Sequence, residues 1–218
     1  DNPITDAATQ MSRLDSTPDS IFYAEPRFVE HVDDNAVQLM TNYISEQIVA
    51  TQPASVLDLC SSWTSHMTTT TASHRKPSRV AGLGMNAKEL EANPSLTEWT
   101  VQDLNENPIL PYEDRSFSIV LCQLSIDYLT KPEEVLKEVG RVLQPGGSVH
   151  ILFSNRLFLS KAVALWTGAD DIDHVYTVGC YLHFCSGGFK NIAAKDLSAR
   201  KGRKIVGDPL YVVTATKV

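Results

Sequence analysis

The chain has 218 residues, 43% hydrophobic and 21% charged, with a formal net charge of −7. These totals suit one globular α/β domain with a single full core and exclude a disordered chain. The acidic balance and the lack of a long basic run argue against nucleic acid as the main partner, and no apolar stretch reaches the ~18 residues of a membrane span.

Residues 1–20 are polar and contain Pro3 and Pro18, which predicts a loose arm. From Arg27 to about Val49, apolar residues recur at helical spacing (Phe28, Val32, Ala36, Leu39, Tyr43, Ile44, Ile48), with Pro26 suited to a first turn and a break expected near Asp33-Asp34. Ser55–Leu59 and Arg79–Leu83 read as strands, Ala87–Ala92 as a short helix stopped before Pro94, and Glu98–Val101 as a third strand. Phe117–Cys122 is almost continuously apolar, as a central parallel strand should be. Pro132–Leu143 carries one apolar stripe and is stopped by Gln144-Pro145-Gly146-Gly147. Val149–Phe153 is a fifth strand, Leu157–Trp166 and Ile172–Phe184 read as helices, and Lys190–Leu197 with Leu210–Thr216 reads as a closing strand pair.

Strands alternating with helices predict a mostly parallel sheet with helices on both faces and a late antiparallel strand. Residues 1–50 are expected to form an arm and lid helices, and 51–218 the compact domain. Thr68 to Thr71 are poor helix material, which predicts a short or irregular crossover between the first two strands. Cys60, Cys122, Cys180 and Cys185 contain no Cys-x-x-Cys pair, so reduced thiols are expected, with neither a metal site nor a disulfide framework.

The run from Phe117-Ser118-Ile119-Val120 through Pro132–Leu143 to Gln144-Pro145-Gly146-Gly147 resembles the type 11 branch of the class I methyltransferases, which use S-adenosylmethionine. The likeness covers nearly everything from Phe22 to Lys217. A narrower set of motifs is similar to a methyltransferase-like family of cyanobacteria, algae and plants. These motifs are Phe22–Val29, Asp58–His66, Gly82–Asn86, Asp103-Leu104-Asn105 and Phe153–Arg156. The resemblance implies a Rossmann-like sheet, S-adenosylmethionine as cofactor and a small-molecule acceptor. It also implies a photosynthetic organism, and with that a cytoplasmic or plastid-stroma location. The first residue is Asp1, so no targeting signal is read here.

The superfamily's first strand ends in acid-x-Gly-x-Gly-x-Gly; here Asp58 is followed by Cys60, Ser62 and Thr64 at the glycine positions. The backbone and hydroxyls of Ser61 and Ser62 are candidates to hold the methionine end of the cofactor. At the end of the second strand the usual ribose-binding acid is replaced by Gly84, a loss of about 1.5–3 kcal/mol of charge-assisted hydrogen bonding. Met85 is a candidate to pack on adenine or simply in the core, and Asn86 to reach a ribose hydroxyl. Asp103 and Leu104 fit the adenine position, although a turn-capping role suits Asp103 too. Gln123 ends the fourth strand, and Asp127 and Tyr128 beyond it are candidates to face the acceptor.

His66, which follows the cofactor turn, is the best-placed candidate base among His31, His66 and His183; Asp127 is the other candidate and equally suits a helix cap. Tyr23 and Arg27 in the N-terminal lid, with Asn155 and Arg156 after the fifth strand, are candidate substrate or lid contacts. No metal site is expected. The competing reading is a catalytically silent methyltransferase-fold subunit, a structural or binding component that would have a protein partner. An enzyme of the same fold with other chemistry is a further alternative.

Overall fold

The computed structural model describes residues 2–68 and 76–218. Strands β1 (Ser55–Leu59), β2 (Arg79–Gly84), β3 (Glu98–Val101), β4 (Phe117–Gln123) and β5 (Leu143–Phe153) are parallel. β6 (Phe189–Asp196) pairs antiparallel with β9 (Tyr211–Lys217), which in turn pairs antiparallel with β5. The order across the sheet is β3-β2-β1-β4-β5-β9-β6. A separate hairpin joins β7 (Arg200–Lys201) and β8 (Lys204–Ile205). The chain moves outward one way through β1, β2 and β3, then the other way through β4 and β5. The crevice for a ligand in such a sheet opens at this reversal, beyond the carboxyl ends of β1 and β4.

Alternation along the strands divides the core in two. Val56, Val80, Ile119 and Leu121 face Met40, Tyr43, Ile44 and Ile48 of the helix α3 (Asp34–Ala50). Leu57, Leu59, Leu83, Val120 and Cys122 lie in the opposite layer. There they join Val135, Leu136 and Val139 of α5 (Pro132–Val142) and Val178 and Tyr181 of α7 (Asp171–Phe184). Period-two side-chain direction in the strands and a 3.6-residue stripe in the helices produce this split. Pro132 sits in the first turn of α5 as its fixed φ allows. α4 (Ala87–Ala92) caps itself with the Asn86 side chain, which accepts from Lys88 N and Glu89 N. No helix among the described residues is long and apolar enough to cross a membrane.

The structure departs from the sequence-based expectations in three places. Residues 2–22 are anchored instead of loose: they hold α1 (Ala7–Gln10) and α2 (Asp19–Phe22), and Arg13 bridges to Val163. The anchor is ionic. Arg13 Nη1 meets both oxygens of Asp19, and the wholly buried Lys161 lies 3.3 Å from the Asp19 carboxylate and donates to the Asp15 and Thr17 carbonyls. Second, the helical pattern from Arg27 becomes a helix only at Asp34, where the Asp33 side chain accepts from Ala36 N as N-cap. Residues 23–33 form an irregular segment instead, called the lid because several of its residues line the cavity at the ends of the strands. Third, the expected helix over 157–166 begins only at Ala164 (α6, Ala164–Thr167), because Val163 N is drawn to Asp127 O and Phe158 N to the Tyr128 hydroxyl. Between β1 and β2, the described residues 60–68 and 76–78 contain no helix; the rest of the threonine run, 69–71, lies outside the described residues.

His150 on β5 is buried with Nδ1 2.8 Å from the Tyr43 hydroxyl and Nε2 2.8 Å from Ser148 Oγ. Burial pushes its imidazole down to about 4. The unfolded chain therefore takes up this proton first as pH falls, and the fold loses up to about 3 kcal/mol between about pH 6.5 and pH 4. Urea unfolding as a function of pH should show this slope, and His150→Leu, though less stable at neutral pH, should flatten it.

Candidate active site

The turn after β1 is organised around Asp58, which is 1% exposed. Its Oδ2 accepts from Ser61 Oγ and Ser65 Oγ, both at 2.7 Å, and its Oδ1 from Gln123 Nε2 at 2.8 Å. Burial raises the carboxyl above its ordinary value, and the Ser65, Ser61 and Gln123 donors oppose that shift. Cys60, at φ 54°, breaks the strand without a glycine. Beside it, burial and the Cys60 sulfur hold the buried Cys122 thiol well above its usual range, the neighbouring sulfur foremost.

Gly84 is fixed by geometry. Ser61 N donates to Leu83 O at 2.8 Å, and a Cβ at residue 84 would overlap the Ser61 carbonyl oxygen. An acid at the end of β2 is therefore sterically excluded by the glycine-free turn next to it. Asn86, the next polar side chain, is fully engaged. Besides capping α4, its Nδ2 donates to Tyr23 O and Ala24 O at 2.9 and 3.0 Å, tying the lid to β2.

These elements enclose an open cavity of about 320 Å³ at the carboxyl ends of the parallel strands. From the turn and β2 it is lined by Asp58, Cys60, Ser61, Ser62, Gly84, Met85 and Asn86. Asp103, Leu104 and Gln123 close the floor, with His66 at one side. Tyr23, Arg27, Tyr128 and Arg156 line the lid side. Trp63 and Met85 form part of the wall and leave the cavity open. Three candidates stand elsewhere. Asn155 and His183 are exposed and outside the cavity, and Asp127 is buried in the 3-10 turn Ile126–Tyr128 and does not line it.

The polar groups of the cavity are largely paired with one another. Ser62 Oγ donates to Glu89 Oε2 at 2.6 Å, and Glu89 Oε1 accepts from Arg27 N at 2.6 Å. Asn93 Nδ2 donates to Ser62 O and Ser65 Oγ. His66 Nδ1 lies 2.9 Å from Gln123 Oε1, and His66 Nε2 2.9 Å from Glu30 Oε2. Asp103 Oδ1 accepts from Asn105 N, which fixes the turn after β3. Arg27 is stacked over Phe22 at 4.5 Å and Phe158 at 5.1 Å and makes no ion pair among the described residues. Arg156 Nε is paired with Asp208 at 2.7 Å. Sequence reading missed Glu30, Ser65, Glu89, Asn93 and Phe158. Ser65 lies inside the motif that begins at Asp58, but the other four join the site only through tertiary contacts. No cluster of potential metal ligands occurs among the described residues.

Comparison with known proteins places this architecture. Residues 60–151 match the model of a family described as a methyltransferase domain. The demethylmenaquinone methyltransferase of Lactobacillus johnsonii is 37% identical over 103 residues, 44% of this chain and 42% of that protein. The malonyl-[acyl-carrier protein] O-methyltransferase of a Marinomonas species is 33% identical over 67 residues, 31% of this chain and 25% of that protein. The chain thus spans less than half the length of these relatives. Among solved structures, the [4+2]-cyclase SpnF aligns with a TM-score of 0.62 at 13% identity, covering 88% of each chain. A methyltransferase from Aquifex aeolicus aligns at 0.55 and 15% identity, covering 85% of this chain and 94% of the other. At such identities these structures bear on fold alone. The fold and the domain match agree as far as they reach: the chain has the Rossmann-like sheet found in methyltransferases, and residues 60–151 match a methyltransferase domain.

Two variants probe the site's construction. Gly84→Ala should destabilise the protein by about 1–3 kcal/mol, because Ser61 must move; thermal unfolding reads this directly. Burial pushes the Asp127 carboxyl up to about 7. The unfolded chain releases that proton at lower pH than the fold does, so the fold loses stability as pH rises from about 4 through 7. Asp127→Asn should therefore gain up to about 4 kcal/mol relative to wild type on going from pH 4 to pH 8, measured by denaturant unfolding.

Proposed function

We propose that this chain transfers the activated methyl group of S-adenosylmethionine to a small-molecule acceptor. The observation that carries this reading is the open cavity at the sheet reversal, bounded by Asp58, Met85, Asp103 and Gln123. The cofactor, when bound, supplies a methyl group on a positively charged sulfur. In this reading Asp103 and the backbone of Leu104 take the adenine edge, and Met85 its face. The turn at Cys60, Ser61 and Ser62 takes the methionine end. Arg27, without a carboxylate of its own, offers a cation to the cofactor's carboxylate.

Tyr128, Phe158 and Arg156 then face the acceptor. The protein's work is alignment and exclusion of water, which explains a site without metal ligands or a nucleophile motif. The lid supports this: Tyr23, Ala24, Arg27 and Val29 each contribute a backbone group that is bonded to Asn86, Glu89 or Trp63 below it. Relatives named for methylating demethylmenaquinone and malonyl-acyl carrier protein favour a small-molecule acceptor, free or carrier-bound.

A second reading is favoured by the serines. The hydroxyl hydrogens of Ser61 and Ser62 are directed to Asp58 and Glu89, not into the cavity. A protein that keeps the fold as a binding or structural component would show such a self-satisfied turn. The similar cyclase likewise shows that the fold alone does not set the chemistry.

Calorimetry separates the readings. S-adenosylmethionine and S-adenosylhomocysteine should both bind, and Asp103→Ala should weaken both about ten- to a hundredfold, or 1.5–3 kcal/mol. Absence of binding at millimolar concentration would overturn the methyl-transfer reading. Unchanged affinity in Asp103→Ala would remove the adenine assignment.

A further inference from the structure

The hydrogen-bond pattern around His66 fixes the protons on its ring. Gln123 Nε2 lies 3.2 Å from the Ser65 carbonyl oxygen, which can only accept, and 2.8 Å from Asp58 Oδ1. The amide is thereby oriented with Oε1 toward His66 Nδ1, so Nδ1 must carry a hydrogen. The opposite nitrogen, Nε2, faces Glu30 Oε2 at 2.9 Å. A neutral ring protonated on Nδ1 would direct its Nε2 lone pair at a carboxylate oxygen. Two acceptors do not make a 2.9 Å contact without a proton between them.

Glu30 belongs to the lid, between Arg27 and the N-cap of α3. His66 belongs to the loop after the cofactor turn and is tied through Gln123 to Asp58. The remaining titratable groups nearby are His31 on the lid, which burial holds below its ordinary value, and Asp58 at the end of β1. Arg27 and Glu89 act on His31 beside it. The other lid contacts, from Asn86 to the Tyr23 and Ala24 carbonyls and from Trp63 Nε1 to the Val29 carbonyl, do not titrate.

We propose that His66 is a positioning residue that latches the lid through Glu30 only while both its ring nitrogens are protonated, so that closing the cavity takes up one proton. Both nitrogens are engaged in the closed arrangement, so His66 is not a free base there. The role rests on the cofactor reading of the cavity and makes grip on that ligand proton-dependent.

The test uses S-adenosylhomocysteine and calorimetry from about pH 6 to about pH 8.5, where imidazoles titrate. Wild-type affinity should fall with rising pH, by up to about tenfold per pH unit, as one linked proton requires. In Glu30→Gln the amide can donate to a neutral Nε2, keeping the latch without the proton. This variant should bind about as tightly at either end of the range. Glu30→Ala should bind weakly and without pH dependence. A wild type with no slope, or a Glu30→Gln protein with the wild-type slope, would overturn the latch.

Long-range 1H–15N spectra of the ligand-free protein give an independent readout. Both His66 nitrogens should be protonated wherever the pH-dependent affinity is at its highest, and a neutral ring there would also overturn the proposal. Failure of S-adenosylhomocysteine to bind at any pH, with the ring doubly protonated, would overturn the methyltransferase reading and leave the latch standing.

Discussion

The site depends on one buried carboxylate. Asp58 is out of contact with water, yet every oxygen it presents is met by a donor, two from the turn that follows it and one from β4. A buried carboxyl left unpaired would be strongly destabilising, so the turn and the neighbouring strand are held in the arrangement that supplies those donors. This supplies the constraint that glycines would impose in the glycine-rich turn this one resembles. The chain turns sharply at Cys60 because Ser61 and Ser65 both reach back to the same oxygen. Gln123, pinned in turn, orients His66. From Asp58 the order of the site extends outward through hydrogen bonds to the lid.

Much of the fold was legible. The strands from Ser55 to Phe153 declared themselves by apolar runs bounded by turns, and α5 by its stripe and its Pro–Gly ends, because these elements answer to local periodicity. The arm was not legible. Its order comes from Asp15 and Asp19 meeting Lys161, far away in the chain, and from Arg13 pairing with Asp19, and this polar spacing has no period. The lid misled for the opposite reason. Phe28 and Val32 keep a helical rhythm, but Glu89, Asn86 and Trp63 claim the backbone groups of residues 23–29 that a helix would have used.

The candidate site was legible in the motifs and obscure in the partners. Sixteen of the residues singled out from sequence converge on one cavity, most of them at the ends of parallel strands or in the lid. Glu30 and Glu89 gave no signal, one lying in an irregular segment and the other in the first turn of a short helix where acids are commonplace. Asn155 and Asp127 show the limit of reading by proximity in sequence. Asn155 follows β5 into solvent, and Asp127 is buried in the turn after β4 without lining the cavity.

The contact between Gly84 and the Ser61 carbonyl has an evolutionary consequence. The two positions are epistatic: a side chain at 84 is admissible only after the turn has moved, and this turn is admissible only while 84 lacks one. A lineage passing between this site and one with an acid on β2 must change both, and the intermediate that acquires the acid first is sterically barred. The accessible order is glycine at 84 first and reshaping of the turn second, which leaves a descendant unable to regain the acid by a single substitution.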